Sequence, residues 1–326
     1  GWYWILCPAG GVAGGWQLAM RSKSPYGPYE WKRVLERGKT TMNGPHQGGW
    51  IHTKYGEDWF IHFQDKGPYG RVCHLQPVDW SSGWPVMGNA GEPYWKFRKP
   101  KSDSKTIVNP VETDEFDSSK LGMQWQWQND YKESYGQATS MGFFRLFTYA
   151  LPELGDVSNL WYVPNMLLQK TPADEFTATT KLSFCSRNSD QYVGLVCMSA
   201  EYSSVGLQRT EDGYELQIRH NPNAMRTHLT DEVLTVDTLK PTQKGTPRKG
   251  RPAEMHIKDV YLRMSIKDSK VNYAYSIDGK KWKKAGGEYA MGKGRWIGSK
   301  IGFFAVDPNK TGRKGFIDID WFRISR

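Results

Sequence analysis

The sequence lacks the long apolar segments of a membrane protein: no run in its 326 residues approaches the ~18 apolar residues that span a bilayer. Long helical repeats are excluded as well, because 34 Gly and 18 Pro interrupt the chain too often. Aromatic residues make up 14% of the chain, which excludes a largely disordered protein. The remaining expectation is an all-β protein, and this length predicts two domains.

Cysteine is scarce, and known catalytic motifs are missing. The four cysteines, Cys7, Cys73, Cys185 and Cys197, show neither a CxxC pair nor metal-ligand spacing. Cys185 and Cys197 either face each other on paired strands or are buried free thiols, and the second interpretation is favoured. The sequence contains no P-loop, HExxH or nucleophile motif, so no organic cofactor is predicted.

The net charge is +10, yet it is not gathered on one aromatic-flanked face. Its densest segment, 240–251, also contains two Pro and two Gly, which indicates an exposed loop. A basic surface of this kind suits acidic polysaccharides or solubility as well as it suits nucleic acid. We therefore predict neither a nucleic-acid nor a membrane partner.

Residues 1–92 are typical of short strands separated by tight turns. The predicted strands are 2–7, 16–22, 29–36, 46–53, 58–64, 71–79 and 83–87. Four short antiparallel strands make one blade of a β-propeller, so the last four strands form a complete blade. The first three form a blade without its innermost strand, which we expect to precede Gly1. The segment is thus interpreted as about two blades at the end of a propeller.

Residues 93–112 are polar, charged and contain Pro, which predicts a linker. Residues 113–326 return to alternating strand patterns, with Asp212-Gly213 and Asp278-Gly279 as two-residue hairpin signals. The predicted strands are 176–184, 192–199, 214–220, 261–267, 271–277, 300–306 and 316–324. About 210 residues of this kind fit one β-sandwich.

In an up-and-down blade, the start of the innermost strand, the end of the second and the start of the third share one edge. This edge, which we call the rim, carries six candidate sugar-binding residues: Trp16, Gln17, His46, Gln47, Phe63 and Arg71. Polar groups suit the hydroxyls of a sugar, and aromatic rings suit its C–H faces. The alternatives are that His46 satisfies a backbone carbonyl, that Arg71 belongs to a surface turn, and that Trp16 is a core residue.

Carboxylates are nearly missing from the rim. A glycosidase usually needs two of them, one as the acid and one as the base or nucleophile. Asp65 is the carboxylate expected at this edge, whereas Glu57, Asp58 and Asp79 are expected at the opposite one. The rim is therefore predicted to hold a substrate without supplying the catalytic acid and base.

Several motifs occur in order and together resemble the last blades of glycoside hydrolase family 43, which includes β-xylosidases and α-L-arabinofuranosidases. These motifs are Ala9-Gly10-Gly11-Val12, Gly15-Trp16-Gln17, Arg21 to Glu30, Asn43-Gly44-Pro45-His46-Gln47-Gly48, His62-Phe63-Gln64-Asp65, Tyr69-Gly70-Arg71 and His74-Leu75-Gln76-Pro77. Residues 113–326 are similar to the concanavalin-like β-sandwich that follows the propeller in one branch of the family. Asp114-Glu115-Phe116 and Asp318 to Phe322 carry this second match.

The resemblance implies a five-bladed propeller and an inverting, exo-acting enzyme that releases xylose or arabinose from hemicellulose. The expected partners are xylan, arabinoxylan or derived oligosaccharides, together with the missing N-terminal part of the same propeller. The general acid Glu, the base Asp and a pKa-modulating Asp are expected upstream of this chain, so the chain alone is predicted to be inactive. The alternative is a non-catalytic protein that binds carbohydrate through its sandwich.

The resemblance also assigns roles to single residues. His46 matches an axial His that binds a central calcium or other cation directly or through water, and Arg71 matches an Arg that hydrogen-bonds the bound sugar. Gln17, Gln47, Trp16 and Phe63 are expected to line the pocket.

Calcium is also expected in the sandwich. Glu115 and Asp320 either share a structural calcium, which prefers oxygen ligands, or are solvated charges at strand ends. A secreted or periplasmic location is favoured over a cytoplasmic one.

Overall fold

The computed structural model describes residues 1–106, 108–150, 159–226, 229–294, 296–309 and 312–326. These residues form an all-β protein with two compact units, Gly1–Val108 and Asn109–Arg326. Among the described residues, no helix has the length and apolar character needed to cross a membrane.

The first unit contains two antiparallel sheets, of three and of four strands. The three-stranded sheet has the order β1-β2-β3, and the four-stranded sheet has the order β4-β5-β6-β7. The strands are β1 Tyr3–Ala9, β2 Trp16–Ser22, β3 Glu30–Leu35, β4 Gly49–His52, β5 Asp58–Asp65, β6 Arg71–Asp79 and β7 Val86–Met87, with a 3-10 helix at Gly67–Tyr69. This grouping is the one predicted from the spacing of the strand signals.

The core of the first unit is small. One buried cluster joins the two sheets and consists of Ala19, Val34, Leu35, Phe60 and Met87. Large apolar side chains on the strands remain exposed in this chain. They include Tyr3, Ile5, Trp31, Trp50 and Ile61. The unit thus combines a small buried core with several large apolar side chains exposed along its strands.

The segment predicted as a linker, 93–112, begins by packing on the four-stranded sheet. Glu57 explains why: its buried carboxylate pairs with the Arg98 guanidinium and accepts the Lys101 backbone N–H at 2.7 Å. A buried charge needs such partners, since an unpaired one is costly. The residues from 93 to about 101 therefore pack on the first unit. We call this segment the strap.

The second unit is a sandwich of two sheets, each of eight strands among the described residues. Sheet I has the order β21-β20-β19-β13-β23-β10-β9 with β18 beside β19, and sheet II has the order β17-β16-β15-β14-β22-β12-β8 with β11 beside β22. The strands are β8 Gln126–Trp127, β9 Gly136–Ala138, β10 Phe144–Phe147, β11 Tyr149–Ala150, β12 Leu167–Lys170, β13 Phe176–Ser186, β14 Tyr192–Met198, β15 Tyr202–Arg209, β16 Tyr214–Asn221, β17 Glu232–Leu239, β18 Gln243–Lys244, β19 Met255–Lys267, β20 Lys270–Ser276, β21 Lys283–Ala290, β22 Lys300–Asp307 and β23 Phe316–Ser325. Two further 3-10 helices span Glu133–Tyr135 and Leu160–Tyr162.

Alternating side chains build the interior between sheets I and II. In β13, buried residues alternate with half-buried ones over most of the strand, the period-2 pattern of a strand with one inner face. Rings from the two sheets meet across this interior, with centroids 5.6 Å apart for Phe303 and Phe322 and 5.3 Å apart for Phe184 and Tyr214. The core of the sandwich is therefore aromatic and continuous.

Sheet II also has an apolar cluster that includes the 3-10 helix at Leu160–Tyr162. Leu160 and Val163 pack there with Met166, and Asn159 caps the helix by accepting the Trp161 N–H at 3.0 Å. This cover explains why every residue of β14 and β22 is buried, whereas β13 shows alternation.

Candidate functional site

The rim lies where the two sheets of the first unit meet, and His46 makes the junction. Its Nε2 lies 2.7 Å from the Gly11 carbonyl oxygen, which joins the turn after β1 to the segment before β4. Gly15 makes room for the ring, since a Cβ there would lie 2.1 Å from Nε2. The structure thus brings the two predicted halves of the rim together.

The contact with Gly11 selects the tautomer of His46. A carbonyl oxygen only accepts, so Nε2–H is the donor, and in this tautomer Nδ1 carries a lone pair. The side chain is 1% exposed, and Nδ1 has no hydrogen-bond partner among the described residues. His46 therefore does satisfy a backbone carbonyl, as the alternative expected, but a buried lone pair remains available.

Arg71 and Phe63 are diagonal neighbours on paired strands. The Arg71 guanidinium carbon lies 4.3 Å from the centroid of the Phe63 ring, and Asp65 is directly opposite Arg71 in the register of β5 and β6. A cation–π contact of this kind orients a guanidinium. The pair therefore places a positive charge over an aromatic ring at the rim.

Trp16 is half-buried and is the first residue of β2, directly after the turn that joins β1 to β2. A Cβ at Gly10, whose φ is +79°, would lie 2.2 Å from the Trp16 ring, so glycine allows the ring to lie against the turn. The Arg33 guanidinium carbon lies 3.9 Å from the ring centroid. Trp16 is therefore neither a fully buried core residue nor a fully exposed platform. It is half-buried and is held on the rim by Gly10 and Arg33.

The two glutamines of the rim differ in exposure. Gln17 is 2% exposed, its amide nitrogen donates to the Leu18 carbonyl, and its Oε1 has no partner among the described residues. Gln47 is exposed and has a φ of +56°, a left-handed conformation that non-glycine residues rarely adopt. A strained backbone directly after His46 is of the kind found at ligand sites.

The carboxylates at the two ends of β5 are far apart. Asp65, at the rim, accepts the Gly67 N–H at 2.8 Å. Asp58 lies at the other end of β5, about 23 Å away at roughly 3.3 Å per residue. An inverting pair needs a separation of about 6.5–9.5 Å, so Asp65 and Asp58 cannot form one. The rim combines binding groups with one carboxylate.

A polar network of buried side chains runs through the four-stranded sheet to the loop before His46. The rings of His62 and His74 stack at 5.5 Å, His74 Nε2 lies 3.2 Å from Gln64 Oε1, and the Gln64 amide donates to the Thr41 carbonyl at 3.0 Å. Burial lowers the pKa of His62 from 6.5 to about 4. These histidines are therefore neutral at physiological pH and structural in role.

In the second unit, Glu115 and Asp320 are engaged by different basic side chains. Arg323 donates two hydrogen bonds to Glu115, both at 2.8 Å, and the Lys181 ammonium lies 2.8 Å from Asp320. The Arg323 hydrogen bonds lower the pKa of Glu115. A shared calcium would have to displace both ion pairs, so this donor set fits the ion pairs better, and the calcium site stays a prediction.

The four cysteines are free thiols, and Cys185 and Cys197 lie in different sheets. Cys185 of β13 is instead opposite His256 of β19, and His256 also contacts Glu254. The sequence-based interpretation missed this cluster because Cys185 and His256 are 71 residues apart. The register of β13 and β19 is the signal that brings them together.

Comparisons with known proteins place both units. A profile described as the beta xylosidase C-terminal concanavalin A-like domain matches residues 113–325, and one described as glycosyl hydrolases family 43 matches residues 1–85. The chain belongs to glycosyl hydrolase family 43. This membership confirms the resemblance, the all-β fold class and the concanavalin-like sandwich, and it does not favour the non-catalytic alternative.

Individual relatives agree with the family assignment. A protein of Xylanibacter ruminicola, provisionally named a beta-xylosidase, is 33% identical over 93% of this chain and 52% of its own length. A non-reducing end alpha-L-arabinofuranosidase of Bacteroides ovatus is 24% identical over 85% of this chain and 50% of its own. The crystal structure of a family 43 protein from Bacillus licheniformis, at 25% identity, superposes with a TM-score of 0.80 over 99% of this chain and 63% of its own.

The chain therefore spans about half the length of the curated relatives that it matches. The named activities belong to those longer proteins.

Proposed function

We propose that the protein is an inverting, exo-acting glycosidase that releases xylose or arabinose from hemicellulose, and that these 326 residues supply part of its sugar-binding site. The general acid Glu, the base Asp and the pKa-modulating Asp lie outside these residues. Membership of family 43 and the names of the relatives support the proposal. Xylan, arabinoxylan and their oligosaccharides are the proposed substrates, together with the remaining part of the propeller as partner.

The observation that carries the proposal is the composition of the rim. The Arg71 guanidinium lies over the Phe63 ring, and Trp16 adds a second half-buried ring. Sugars need this combination, because their hydroxyls pair with charged donors while their C–H faces pack on aromatic rings. A single carboxylate at this edge fits a binding half whose acid and base come from elsewhere.

We also propose that His46 faces a cation, calcium in the first instance, through a bound water. The orphaned Nδ1 fits such a role, since it is buried and carries a lone pair. Calcium prefers oxygen over imidazole nitrogen, which favours contact through water. When bound, the cation would add positive charge beside the sugar and lower the pKa of carboxylates that must stay ionised.

A secreted or periplasmic location is part of the same proposal. Polymeric hemicellulose does not enter a cell, so an enzyme that acts on chain ends has to meet it outside the cytoplasm or receive fragments in the periplasm. Fractionation of producing cells, with immunodetection of the chain, tests this location. Recovery in the cytoplasm alone would contradict it.

The first experiment assays the 326-residue chain alone on nitrophenyl β-xyloside and nitrophenyl α-L-arabinofuranoside. We expect no turnover above the background, because the acid and base are absent from the rim. Robust turnover by the lone chain would overturn the proposed division between binding and catalysis.

The second experiment changes Arg71 in a polypeptide that carries this chain together with the other blades. Arg71→Ala is expected to lower kcat/KM by about 10- to 100-fold, since hydrogen bonds from a charged group contribute about 1.5–3 kcal/mol. Arg263→Ala is the matched control, because Arg263 also stacks on a ring, that of Trp282 at 3.6 Å, but lies in the second unit. Equal losses of kcat/KM in the two variants would contradict the placement of Arg71 in the sugar-binding site.

A further inference from the structure

Three side chains of different chemistry converge on sheet I of the sandwich, far from the rim in sequence. Cys185 Sγ lies 3.4 Å from His256 Nε2, and the same nitrogen lies 2.8 Å from Glu254 Oε1. The three ligand atoms all fall within 4.8 Å of one another, and among the described residues this is the one such group of three or more His, Cys, Asp or Glu. Thiolate, imidazole and carboxylate together are the donor set of zinc sites.

Strand pairing fixes this convergence. Cys185 is directly opposite His256 in the register of β13 and β19, and Glu254 immediately precedes β19. Cys185 follows Phe184, whose ring contacts Tyr214 in the interior, so the thiol lies on the other face of sheet I. The positions of the three groups therefore follow from the backbone of the sheet.

Hydrogen bonds of this cluster converge on the Glu254 carboxylate. It accepts from His256 Nε2–H at 2.8 Å and also pairs with the Cys185 thiol. Metal ligands bind in their deprotonated form, so a cation at this point would take the place of the shared protons and contact all three atoms.

The surroundings orient the ligands and leave space for another. Arg187 Nε donates to the second oxygen of Glu254 at 2.8 Å, which directs Oε1 toward His256. Partners of this kind commonly orient the ligands of metal sites. A cavity of about 220 Å³, lined by Cys185, His256 and Asp318 among others, adjoins the cluster and has room for a water ligand.

We propose that Cys185, His256 and Glu254 bind a thiophilic divalent metal ion, zinc in the first instance, with a water from the cavity as fourth ligand. In a tetrahedral zinc site, sulfur and nitrogen ligands lie about 3.5 Å apart and nitrogen and oxygen ligands about 3.3 Å apart. The observed 3.4 Å for Sγ to Nε2 meets the first value. The Glu254 oxygen would have to move about 0.5 Å away from His256 Nε2, and a rotation of the carboxylate allows this movement.

Such an ion would join the C-terminal part of β13 to the start of β19. Because an unfolded chain does not present the three ligands together, metal binding would stabilise the folded sandwich. The role proposed here is structural, and it is independent of sugar binding at the rim.

The test uses the full protein after removal of any affinity tag and treatment with a chelator. Titration calorimetry measures Zn²⁺ binding, and Co²⁺ serves as a spectroscopic probe of the same site. We expect one Zn²⁺ per chain at this site and a Co²⁺ spectrum with a sulfur charge-transfer band in the near ultraviolet. Cys185→Ser should remove that band and weaken Zn²⁺ binding by more than about 100-fold, beyond the 10- to 100-fold typical of outer-shell changes. Arg187→Met should weaken it by about tenfold.

Two matched controls keep the test specific. Cys197→Ser changes a second buried thiol that lies in sheet II, and His220→Asn changes a histidine that also contacts two carboxylates. His220 uses different ring nitrogens for Glu201 and Glu232, so its partners do not converge on one point. Both controls should bind Zn²⁺ as the unchanged protein does.

The results that overturn the proposal are clear. They are an absence of stoichiometric Zn²⁺ binding, or Zn²⁺ affinity and Co²⁺ spectra that are the same in Cys185→Ser as in the unchanged protein. Circular dichroism establishes that each variant is folded. If His256→Asn does not fold, Cys185→Ser still decides, because serine is nearly isosteric with cysteine.

Discussion

The two units of this chain differ in what they bury. The first unit buries histidines, with His46 at 1% and His62 at 2% exposure, around a small apolar cluster. The second buries tyrosines and thiols, among them Tyr214, Tyr273 and Cys197, inside a double-layered aromatic core. Since histidine gains a proton in acid and tyrosine or cysteine loses one in alkali, the two units should respond to opposite extremes of pH.

The two units also differ in how far the side chains of their strands are buried. The sandwich covers both faces of sheet II at its centre, so β14 and β22 are buried throughout. In the first unit, apolar residues such as Trp31 and Ile61 remain exposed on strands, and polar groups gather at the rim. The proposed sugar-binding groups of the first unit thus lie at strand ends, whereas the central strands of sheet II use their side chains for packing.

The largest expected effect sharpens this contrast in packing. Phe303→Ala removes a fully buried ring that contacts Phe322, and it should lower the free energy of unfolding by about 3–5 kcal/mol. Trp31→Ala, in the first unit, removes a ring that is 64% exposed and should cost less than about 1 kcal/mol. Urea unfolding of the two variants measures both values. Equal losses of unfolding free energy in the two variants would contradict the contrast in packing between the two units.

Acid should weaken the first unit selectively. Burial lowers the pKa of His62 from 6.5 to about 4. Between these two pH values the unfolded state binds a proton at His62, whereas the folded state does not. The stability that neutral His62 provides is therefore complete above pH 6.5 and is lost as the pH falls toward 4, by up to about 3 kcal/mol.

Hydrogen exchange by mass spectrometry, corrected for intrinsic rates, measures this loss in the peptides of β5 and β6. His62→Gln cannot titrate and should flatten the pH dependence, whereas His52→Gln, at an exposed position of the same sheet, should leave it unchanged. Protection that is equal at pH 7 and pH 4.5 in the unchanged protein would contradict the prediction.

Alkali should weaken the second unit instead. Burial raises the pKa of Tyr214 from 10 to about 12, so the unfolded state releases the phenolic proton first. Stability is complete below pH 10 and falls as the pH rises toward 12, by about 1 kcal/mol for this residue at pH 11.

Tyr214→Phe removes a hydroxyl that donates to the Met255 carbonyl at 2.7 Å, so it should cost about 1 kcal/mol at pH 8. The same variant should lose less than the unchanged protein between pH 8 and pH 11 in urea unfolding. Tyr26→Phe, at a side chain that is 97% exposed, is the control and should behave as the unchanged protein. An unaltered slope in Tyr214→Phe would refute the assignment.

Much of the fold was predictable from local patterns. The bounds of β2 and β6 were predicted to the residue, and the Asp-Gly pairs marked the hairpins β15–β16 and β20–β21. The strands β17 and β21 were missed, because both lie at sheet edges where side chains are mostly exposed and alternation is weak. The packed strap near Arg98 was missed because its anchor, Glu57, is 41 residues away.

The rim was predictable because antiparallel pairing dictates which strand ends meet. Spacing alone could not reveal that His46 Nε2 would contact the Gly11 carbonyl while Nδ1 has no hydrogen-bond partner among the residues that the structure describes. The Cys185 and His256 pair was hidden for the same reason as the strap: it depends on which distant strands pair. Local patterns predict elements, and long-range register decides which side chains meet.

The smallest expected effect concerns the charges at the sandwich termini. Glu115→Gln breaks the double hydrogen bond with Arg323, yet both side chains are about half exposed, so the loss should be below about 1 kcal/mol. The stabilising contribution is present above pH 4.5 and is lost as the pH falls, because Arg323 lowers the pKa of Glu115. It should also shrink in high salt, which screens exposed charges.

The same variant decides between the ion pairs and a shared calcium. If the ion pairs dominate, millimolar calcium should leave Tm unchanged in the unchanged protein, in Glu115→Gln and in Asp320→Asn. A calcium-dependent rise in Tm that both variants abolish would instead mean that calcium displaces Arg323 and Lys181 from the two carboxylates, since a ligand that binds only the folded state raises Tm. In that case the termini of the sandwich, like the rim, would depend on a bound ion, and the contrast between the two units would be confined to their cores.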